Sequence, residues 1–458
     1  MAATDSSPAW LSIRFARREL ALIERALSAS SGSGAPVPFI FSRAEAAGRL
    51  VFVCARVGEA SGAEAPFVNG LATPISAGET AFDERRTSWL GDEEPPRDGD
   101  AVIRVLIGSA TDEAFHLACR VWQNDHWRNF DHAFLEGAPG SVVWAGDTMP
   151  VPPEPPPERV ARFTSSFGIE AWQRLRRSTA VVVGAGGTGS VAIPILARAG
   201  VGRLVIVDSD HITPSNLERT HASFPAHVEA KTLKAELARD HVRQIDPAIE
   251  VIAFEGRLPQ PEIVAEIARA DVLIGCTDQH TSRLAVADMA RRYLVPALDC
   301  GGLIEGSSGR VTGQIIQLVV FRPDDPCPAC RGMVSPVRIG QELMSNEERE
   351  AIRQQAARRE AIPPEAQDIP QIDTVGYITT VSGTLAAGYA IGWLTGRFDP
   401  PFERMQMNLI ADCLDVTNRP QDHAPDCNCR ESRGLADAGA ALAPFRPPDH
   451  WAPARRIP

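Results

Sequence analysis

The stretch VVVGAGGTGSVAIPILARAGVGRLVIVDSD, residues 181–210, decides how this chain folds. An apolar run ends in a loop containing Gly184, Gly186, Gly187 and Gly189; an apolar segment of helical length follows, and a second apolar run ends on Asp208. Strand, glycine turn, helix, strand and acid in that order make a nucleotide-binding βαβ unit of the G-x-G-x-x-G kind. Gly184 permits the tight turn out of the strand, Gly186 lets backbone N–H groups approach a phosphate, and Gly189 allows the helix to pack closely. The helix N-terminus adds partial positive charge for an anion, and Asp208 can accept hydrogen bonds from ribose hydroxyls. The loop suits NAD and ATP equally, so residues outside it must choose between them.

Outward from this unit, strands and helices alternate from about residue 160. RLVIVDSD, IEVIAFEG, DVLIGCTD and VPALDCGG read as strands, with KTLKAELARDHVRQI, PEIVAEIARA and TSRLAVADMARRYL as the helices between them. That alternation predicts a doubly wound, mostly parallel, Rossmann-like α/β sheet. VTGQIIQLVVF follows VPALDCGG with no room for a helix, so an antiparallel extension is expected; GTLAAGYAIGWLTG reads as an apolar helix. Upstream, GDTMPVPPEPPPE carries six prolines, and 146–159 is read as a stiff linker. Residues 1–145 read as a small α+β domain: LALIERAL has helical period through Leu20, Ile23 and Leu27, and PFIF, LVFVCARV and AVIRVLIG read as strands. SASSGSGA and LGDEEPPRDGD read as loops, and the Ala-, Pro- and charge-rich segment 431–458 is expected to be disordered.

Composition narrows the function classes. The chain has 458 residues, 44% hydrophobic and 23% charged, with a formal net charge of -12. That charge disfavours non-specific binding to nucleic acid or an anionic membrane. The opening MAATDSSPAW lacks a basic start followed by an apolar core, and no run of 18 apolar residues occurs, so neither a leader nor a membrane span is expected. A cytoplasmic setting follows, in which the nine cysteines stay reduced and clustered ones point to metal or catalysis.

The residues after Asp208 choose the nucleotide. Asp210, Asn216, Arg219 and Lys231 fall in one stretch that begins at the carboxyl end of a strand, where open α/β sheets bind ligands. A hydride-transfer site needs nothing of the kind. This D-x-D…S-N-L-x-R…K series, with the later Cys276-Thr277-Asp278, resembles the ubiquitin-activating superfamily, including its ThiF- and MoeB-like sulfur-carrier adenylyltransferases. The resemblance covers roughly 160–430. It implies an ATP-dependent adenylyltransferase that joins a protein's C-terminal carboxylate to AMP, working as a homodimer. By motif position, Arg219 and Lys231 would contact the phosphates, Asn216 would bond beside them, Asp278 would hold Mg²⁺, Asp208 would take the ribose, and Asp210 would line the same pocket. One departure stands out. The family's opening R-Y-x-R-Q, whose second arginine reaches the partner subunit's phosphates, is here Arg162-Phe163-Thr164-Ser165-Ser166, so Ser165 occupies that place. Arg162, Arg174, Arg176 and Arg177 are the nearby alternatives.

Cys327-Pro-Ala-Cys330 is half of a tetrahedral thiolate site, and Cys427-Asn-Cys429 follows about a hundred residues later with His423 close by. The resemblance implies a structural Zn²⁺ held by four cysteines; because C-x-C departs from the family's C-x-x-C, His423 could replace one sulfur. Many relatives carry a thioester-forming cysteine in the crossover before the last helix, but residues 331–412 contain none. Cys54 in an apolar strand, Cys119 in an apolar helix, and Cys276 and Cys300 at strand ends lack the basic, exposed setting of a reactive thiol. The implied outcome is transfer of the activated carboxyl to another protein's sulfur.

QNDHWRNFDHAF, 123–134, brings His126, His132, Asp125 and Asp131 together with Trp122, Trp127 and Phe130. A metal site, a partner-docking surface and a plain loop or helix all fit it. For the whole chain the expected function is activation of a ubiquitin-like protein, with a conjugating-type enzyme as a further partner. Sulfur-carrier adenylation in thiamine- or molybdopterin-type biosynthesis, an NAD-dependent oxidoreductase and a catalytically silent scaffold are the alternatives.

Overall fold

In the computed structural model the nucleotide-binding unit lies at the middle of a nine-stranded sheet. The structure describes residues 10–16, 18–19, 21–22, 25, 37–46, 49–57, 68–75, 94–96, 102–109, 115–135, 142–143, 155–356, 367, 373–411, 414–417, 422–438 and 443–458. Leu20, Ile23, Leu27, Cys413 and most of the proline-rich run and the two expected loops lie outside them.

Nine strands come from the N-terminal part: β1 (Trp10–Phe15), β2 (Val37–Ala46), β3 (Arg49–Val57), β4 (Val68–Ile75), β5 (Ile103–Ser109), β6 (Phe115–Gln123), β7 (His126–Asn129), β8 (His132–Leu135) and β9 (Val142–Val143). They form one sheet in the order β7-β6-β5-β4-β2-β3-β1-β8-β9. Cys119, expected on a helix, lies in β6 opposite Val105; its neighbours FHLACRVWQ carry enough aromatic and β-branched residues to pair at long range. QNDHWRNFDHAF is a hairpin, with Asn124 and Asp125 at φ 50° and 59° making its turn. Phe130 is fully buried rather than surface, and the guanidinium groups of the cross-strand pair Arg104 and Arg120 both lie against the Trp127 ring, at 4.7 and 4.6 Å from its centre.

The second sheet begins after helices α1 (Ala161–Phe167) and α2 (Ile169–Arg177). It contains β10 (Thr179–Val183), β11 (Arg203–Val207), β12 (Glu250–Glu255), β13 (Val272–Gly275), β14 (Ala297–Ser307), β15 (Arg310–Phe321), β16 (Arg404–Asn408), β17 (Leu414–Thr417) and β18 (Arg455–Ile457), in the order β17-β16-β15-β14-β13-β10-β11-β12-β18. Strands β10 to β14 are parallel neighbours, and β15 runs antiparallel to β14, as its short connection requires. Every residue of β10 and β11 is buried, the mark of a parallel sheet covered on both faces. Ala180, Val182, Leu204 and Ile206 point to the face covered by α3 (Gly189–Ala199), α5 (Lys234–Ile245) and α10 (Gly376–Thr395). Val181, Val183, Val205 and Val207 point to the other, covered by α6 (Pro261–Ile267), α7 (His280–Tyr293) and the N-terminal sheet. Between these helices lie the short α4 (Pro225–Glu229) and, in the crossover, α8 (Pro336–Leu343) and α9 (Asn346–Ala356). No described helix is long and apolar enough to cross a membrane.

Two connections were illegible in the sequence. The C-terminal segment, expected to be disordered, ends in β18, which pairs antiparallel with β12 and buries Ile457. A three-residue strand with one buried side chain leaves no periodicity to read. The second is Arg433, whose Nη2 lies 2.9 Å from Glu19 and whose Nε lies 2.6 Å from Asp324, while Nη1 donates to the Ala55 carbonyl. Ser42 Oγ also donates to the Gly434 carbonyl, so residues 432–437 are gripped between the N-terminal sheet and α7. Glu19 is buried, and its charge has no bulk water to turn to. Arg433→Ala is therefore expected to destabilise the full chain by about 3 kcal/mol or more, read from urea unfolding; a change under about 0.5 kcal/mol, the range of a neutral surface substitution, would show that the two sheets are held together elsewhere.

Candidate functional site

Strand order reverses between β10 and β13, and a cavity of about 540 Å³ opens there, at the carboxyl ends of the parallel strands. This is where the fold leaves a crevice for a ligand. Gly184, at φ 98°, makes the turn; a Cβ there would stand 2.7 Å from the Cys276 carbonyl oxygen, so β10 and β13 touch beneath the loop. A Cβ on Gly189 would fall 1.9 Å from the Gly184 carbonyl oxygen, which locks the start of α3 against the turn. Gly189 is thus a packing glycine and does not line the cavity, whereas Gly184, Gly186 and Gly187 do. Nothing lies within 4 Å of where a Gly186 side chain would project, which leaves that backbone open to a ligand.

β11 delivers the acids. Asp208 Oδ2 accepts from the Ala185 N–H at 2.7 Å and Oδ1 from the Asp210 N–H at 2.8 Å. Each oxygen keeps a lone pair for a hydroxyl donor. Burial pushes the Asp208 carboxyl above its ordinary range, with Lys234 and the two N–H groups pulling the other way. Asp210 is exposed at the cavity mouth; partial desolvation pushes its carboxyl up, but the Lys234 ammonium, 2.9 Å away, holds it below that range. Asn216 and Arg219 come from the short turn Pro214–Asn216 and the residues after it. The Asn216 side chain accepts from the Thr213 N–H at 3.2 Å, and Arg219 Nη1 donates to the Ser215 carbonyl at 2.9 Å. Both line the cavity, as does the exposed Asp278 after β13.

Lys231 does not. It is exposed, at φ 51° in the turn after α4, and outside the cavity. Lys234, one helical turn on, lines the cavity as the first residue of α5, its N–H bonded to the Asp210 carbonyl at 2.9 Å. The signal lay in AKTLKAE, which holds two lysines: the bridge between His211 and Leu233 sets which one faces Asp210. Arg257, Gln279, His280, Arg283 and Thr374 also line the cavity and went unread. Arg283 pairs with the buried Asp299 at 3.3 Å, and Glu342 of α8 caps α7 by accepting from the His280 and Thr281 N–H groups at 3.0 and 2.8 Å. The crossover is thereby tied to the loop that presents Asp278.

The second cluster lies at the far end of β15. Cys327, Cys330, Cys427 and Cys429 bring their sulfurs within 4.8 Å of one another, the one such cluster among the described residues. Sγ–Sγ distances are 3.6 Å for 327–330, 3.7 Å for 327–427 and 3.8 Å for 330–429. His423 stays outside: its Nδ1 lies 3.1 Å from the Cys429 sulfur and its Nε2 3.2 Å from the Asp324 carbonyl.

A family model described as "ThiF family" matches residues 159–431. The chain belongs to the ThiF family. It is similar to SAMP-activating enzyme E1 of Haloferax volcanii, 37% identical over 163 residues, which are 36% of this chain and 56% of that protein. It is 32% identical over 169 residues to adenylyltransferase and sulfurtransferase UBA4 of Candida glabrata, 37% of each chain. The chain thus spans about half or less of these relatives. A crystal structure of E. coli MccB with MccA-N7isoASN aligns at a TM-score of 0.46 and 18% identity, over 61% of this chain and 77% of that one.

In this ThiF-family chain none of Arg162, Ser165, Arg174, Arg176 or Arg177 lines the cavity. Arg174 donates to the Thr395 carbonyl and Arg176 pairs with Asp246, so both serve packing of α2. Cys276 and Cys300 do line it, 3.5 Å apart, with Cys300 fully buried and its thiol pushed up by the Cys276 contact and by burial.

Proposed function

We propose that this chain uses ATP and Mg²⁺ to adenylate the C-terminal glycine carboxylate of a ubiquitin-like protein. The observation that carries this is the convergence of Asp208, Asp210, Arg219, Lys234 and Asp278 on one cavity under the glycine loop. A carboxylate oxygen of the substrate attacks the α-phosphorus, the bond to the bridging oxygen breaks, and pyrophosphate leaves with the electron pair. Charge grows on the leaving phosphates, and fixed cations at Lys234 and Arg219 stabilise it at no cost of reorganisation. Loop N–H groups and the N-terminus of α3 hold the phosphates, and Asp208 takes the ribose. Asp278 would hold Mg²⁺, which screens the triphosphate and polarises the α-phosphate. The dehydrogenase alternative gives Arg219, Lys234 and Asp278 nothing to do. ATP–pyrophosphate exchange dependent on a protein ending in glycine tests the proposal; exchange absent with every such candidate would refute it.

The thiolate cluster suits one structural Zn²⁺. A tetrahedron with Zn–S of about 2.3 Å has edges of about 3.8 Å, close to the sulfur spacings above, and four thiolates leave no open position for catalysis. We infer a homodimer, in which both copies carry Ser165 so that a different residue would have to take the place of the trans arginine, and a cytoplasmic setting. The name of UBA4 keeps a second reading in play, adenylation of a sulfur carrier, which uses the same residues.

The activated carboxyl passes to a thiol on another protein. Cys54, Cys119 and Cys300 are buried, and residues 331–412 hold no cysteine. Single substitutions of Cys54, Cys119, Cys276, Cys300 and Cys413 are expected to leave activation measurable, with no reductant-sensitive adduct on non-reducing gels. An adduct on this chain, lost with one cysteine, would place a thioester here.

A further inference from the structure

We propose that Arg257, held by Trp451 of the C-terminal tail, forms the purine face of the nucleotide cavity, so that a segment beyond the family-matched residues 159–431 helps bind ATP. The inference rests on the reading of the cavity as an ATP site. With the phosphates at the glycine loop after β10 and the ribose at Asp208 after β11, the base is left with the ends of β12 and β13. Those ends supply Gly256, Arg257, Leu258, Gln279 and Ser282 to the cavity wall. Of these only Arg257 offers a flat cation; Arg283, the other guanidinium at the β13 end, is paired with the buried Asp299 at 3.3 Å, and a guanidinium stacks on an aromatic ring as well as donating to it.

Arg257 is built in from three sides. Its Nε donates to Ser209 Oγ at 2.9 Å, between the two acids of β11. Its guanidinium carbon lies 5.6 Å from the Trp451 ring centre. Its backbone N–H donates to Gln260 Oε1 at 2.6 Å, and Gln260, itself buried, donates through Nε2 to the Ala452 carbonyl at 2.7 Å. The tail that provides Trp451 and Ala452 is anchored by the β18–β12 pairing and by the Arg455–Glu255 ion pair at 2.6 Å. Arg257 also walls a second cleft of about 600 Å³, where Trp451 stands on the side away from the nucleotide. Trp451 is thus a positioning residue: it backs the guanidinium that meets the base.

The test separates base from phosphate. Binding of ATP–Mg and of tripolyphosphate–Mg is measured by calorimetry on the full chain and on Arg257→Ala, Trp451→Ala and Trp451→Phe, each checked for an unchanged thermal midpoint. Arg257→Ala and Trp451→Ala are expected to weaken ATP roughly tenfold while tripolyphosphate stays within about twofold, and Trp451→Phe, which keeps an aromatic ring, retains most of the ATP affinity. Equal losses for both ligands would make Arg257 a phosphate contact and overturn the proposal. So would an unchanged ATP affinity in Trp451→Ala. If the unaltered chain binds neither ligand, the ATP reading itself fails and takes this inference with it; ATP binding that survives both alanine variants overturns the inference alone.

Discussion

Lys234→Ala and Arg219→Ala are each expected to lower ATP–pyrophosphate exchange at least about a hundredfold, the loss typical of one fixed transition-state donor, while Lys231→Ala stays within about twofold, the effect of a neutral surface change. The contrast follows from placement. Lys234 opens α5 with its ammonium 2.9 Å from Asp210 inside the cavity, and Lys231 sits one turn outside on an exposed loop. Both variants should keep the wild-type fold, because Arg219 is only partly buried and the Lys234–Asp210 pair is one of several contacts at the α5 start. Asp210, freed of its ion pair in Lys234→Ala, should lose the pull that now holds its carboxyl below the ordinary range. The variant's defect should therefore deepen as pH falls toward the Asp210 pKa. Near-wild-type exchange in Lys234→Ala, with a large loss in Lys231→Ala, would mean that the turn after α4 is rearranged when nucleotide binds.

Removing either cysteine pair should have the largest effect on stability. Structural zinc sites in small domains are worth about 10–16 kcal/mol of apparent binding free energy, far more than any hydrogen bond. Here the cluster joins the end of β15 to residues 427–429, which lead directly into the segment gripped by Arg433. Purified protein is expected to carry one equivalent of zinc. Serine at both Cys427 and Cys429 should abolish it and leave residues 422–438 open to limited proteolysis. His423→Ala should keep full metal content, because its ring hydrogen-bonds to the Cys429 sulfur from outside the cluster. Zinc lost in His423→Ala, with Cys427 dispensable, would show a three-sulfur, one-nitrogen site instead.

The sequence made local features legible and non-local ones not. Gly184, Asp208 and the alternation of strands with helices sit within one βαβ unit, where each residue type follows from its own backbone conformation, and the sheet carries them as read. The choice between Lys231 and Lys234 depended on where α5 starts, and that is fixed by pairing of Leu233 with His211, 22 residues earlier. A shift of three residues, nearly one helical turn, cannot be seen in composition. The N-terminal sheet hides two of its parallel pairs, β1 with β3 and β1 with β8, in contacts that span up to 120 residues. Arg257 and Trp451 are 194 residues apart in sequence and meet only because β18 returns to β12. Cys327 and Cys330 with Cys427 and Cys429 were readable because metal ligands come in close sequence pairs, which the fold has only to bring together.

Thermal unfolding of the full chain with ATP–Mg and, separately, with NAD tests the nucleotide assignment most directly. A ligand at about a hundred times its dissociation constant adds about 2.7 kcal/mol to a protein that binds it only when folded. A saturable rise in midpoint with ATP–Mg and none with NAD is the expected result; stabilisation by NAD alone would return the glycine loop to a dehydrogenase and contradict the adenylation chemistry.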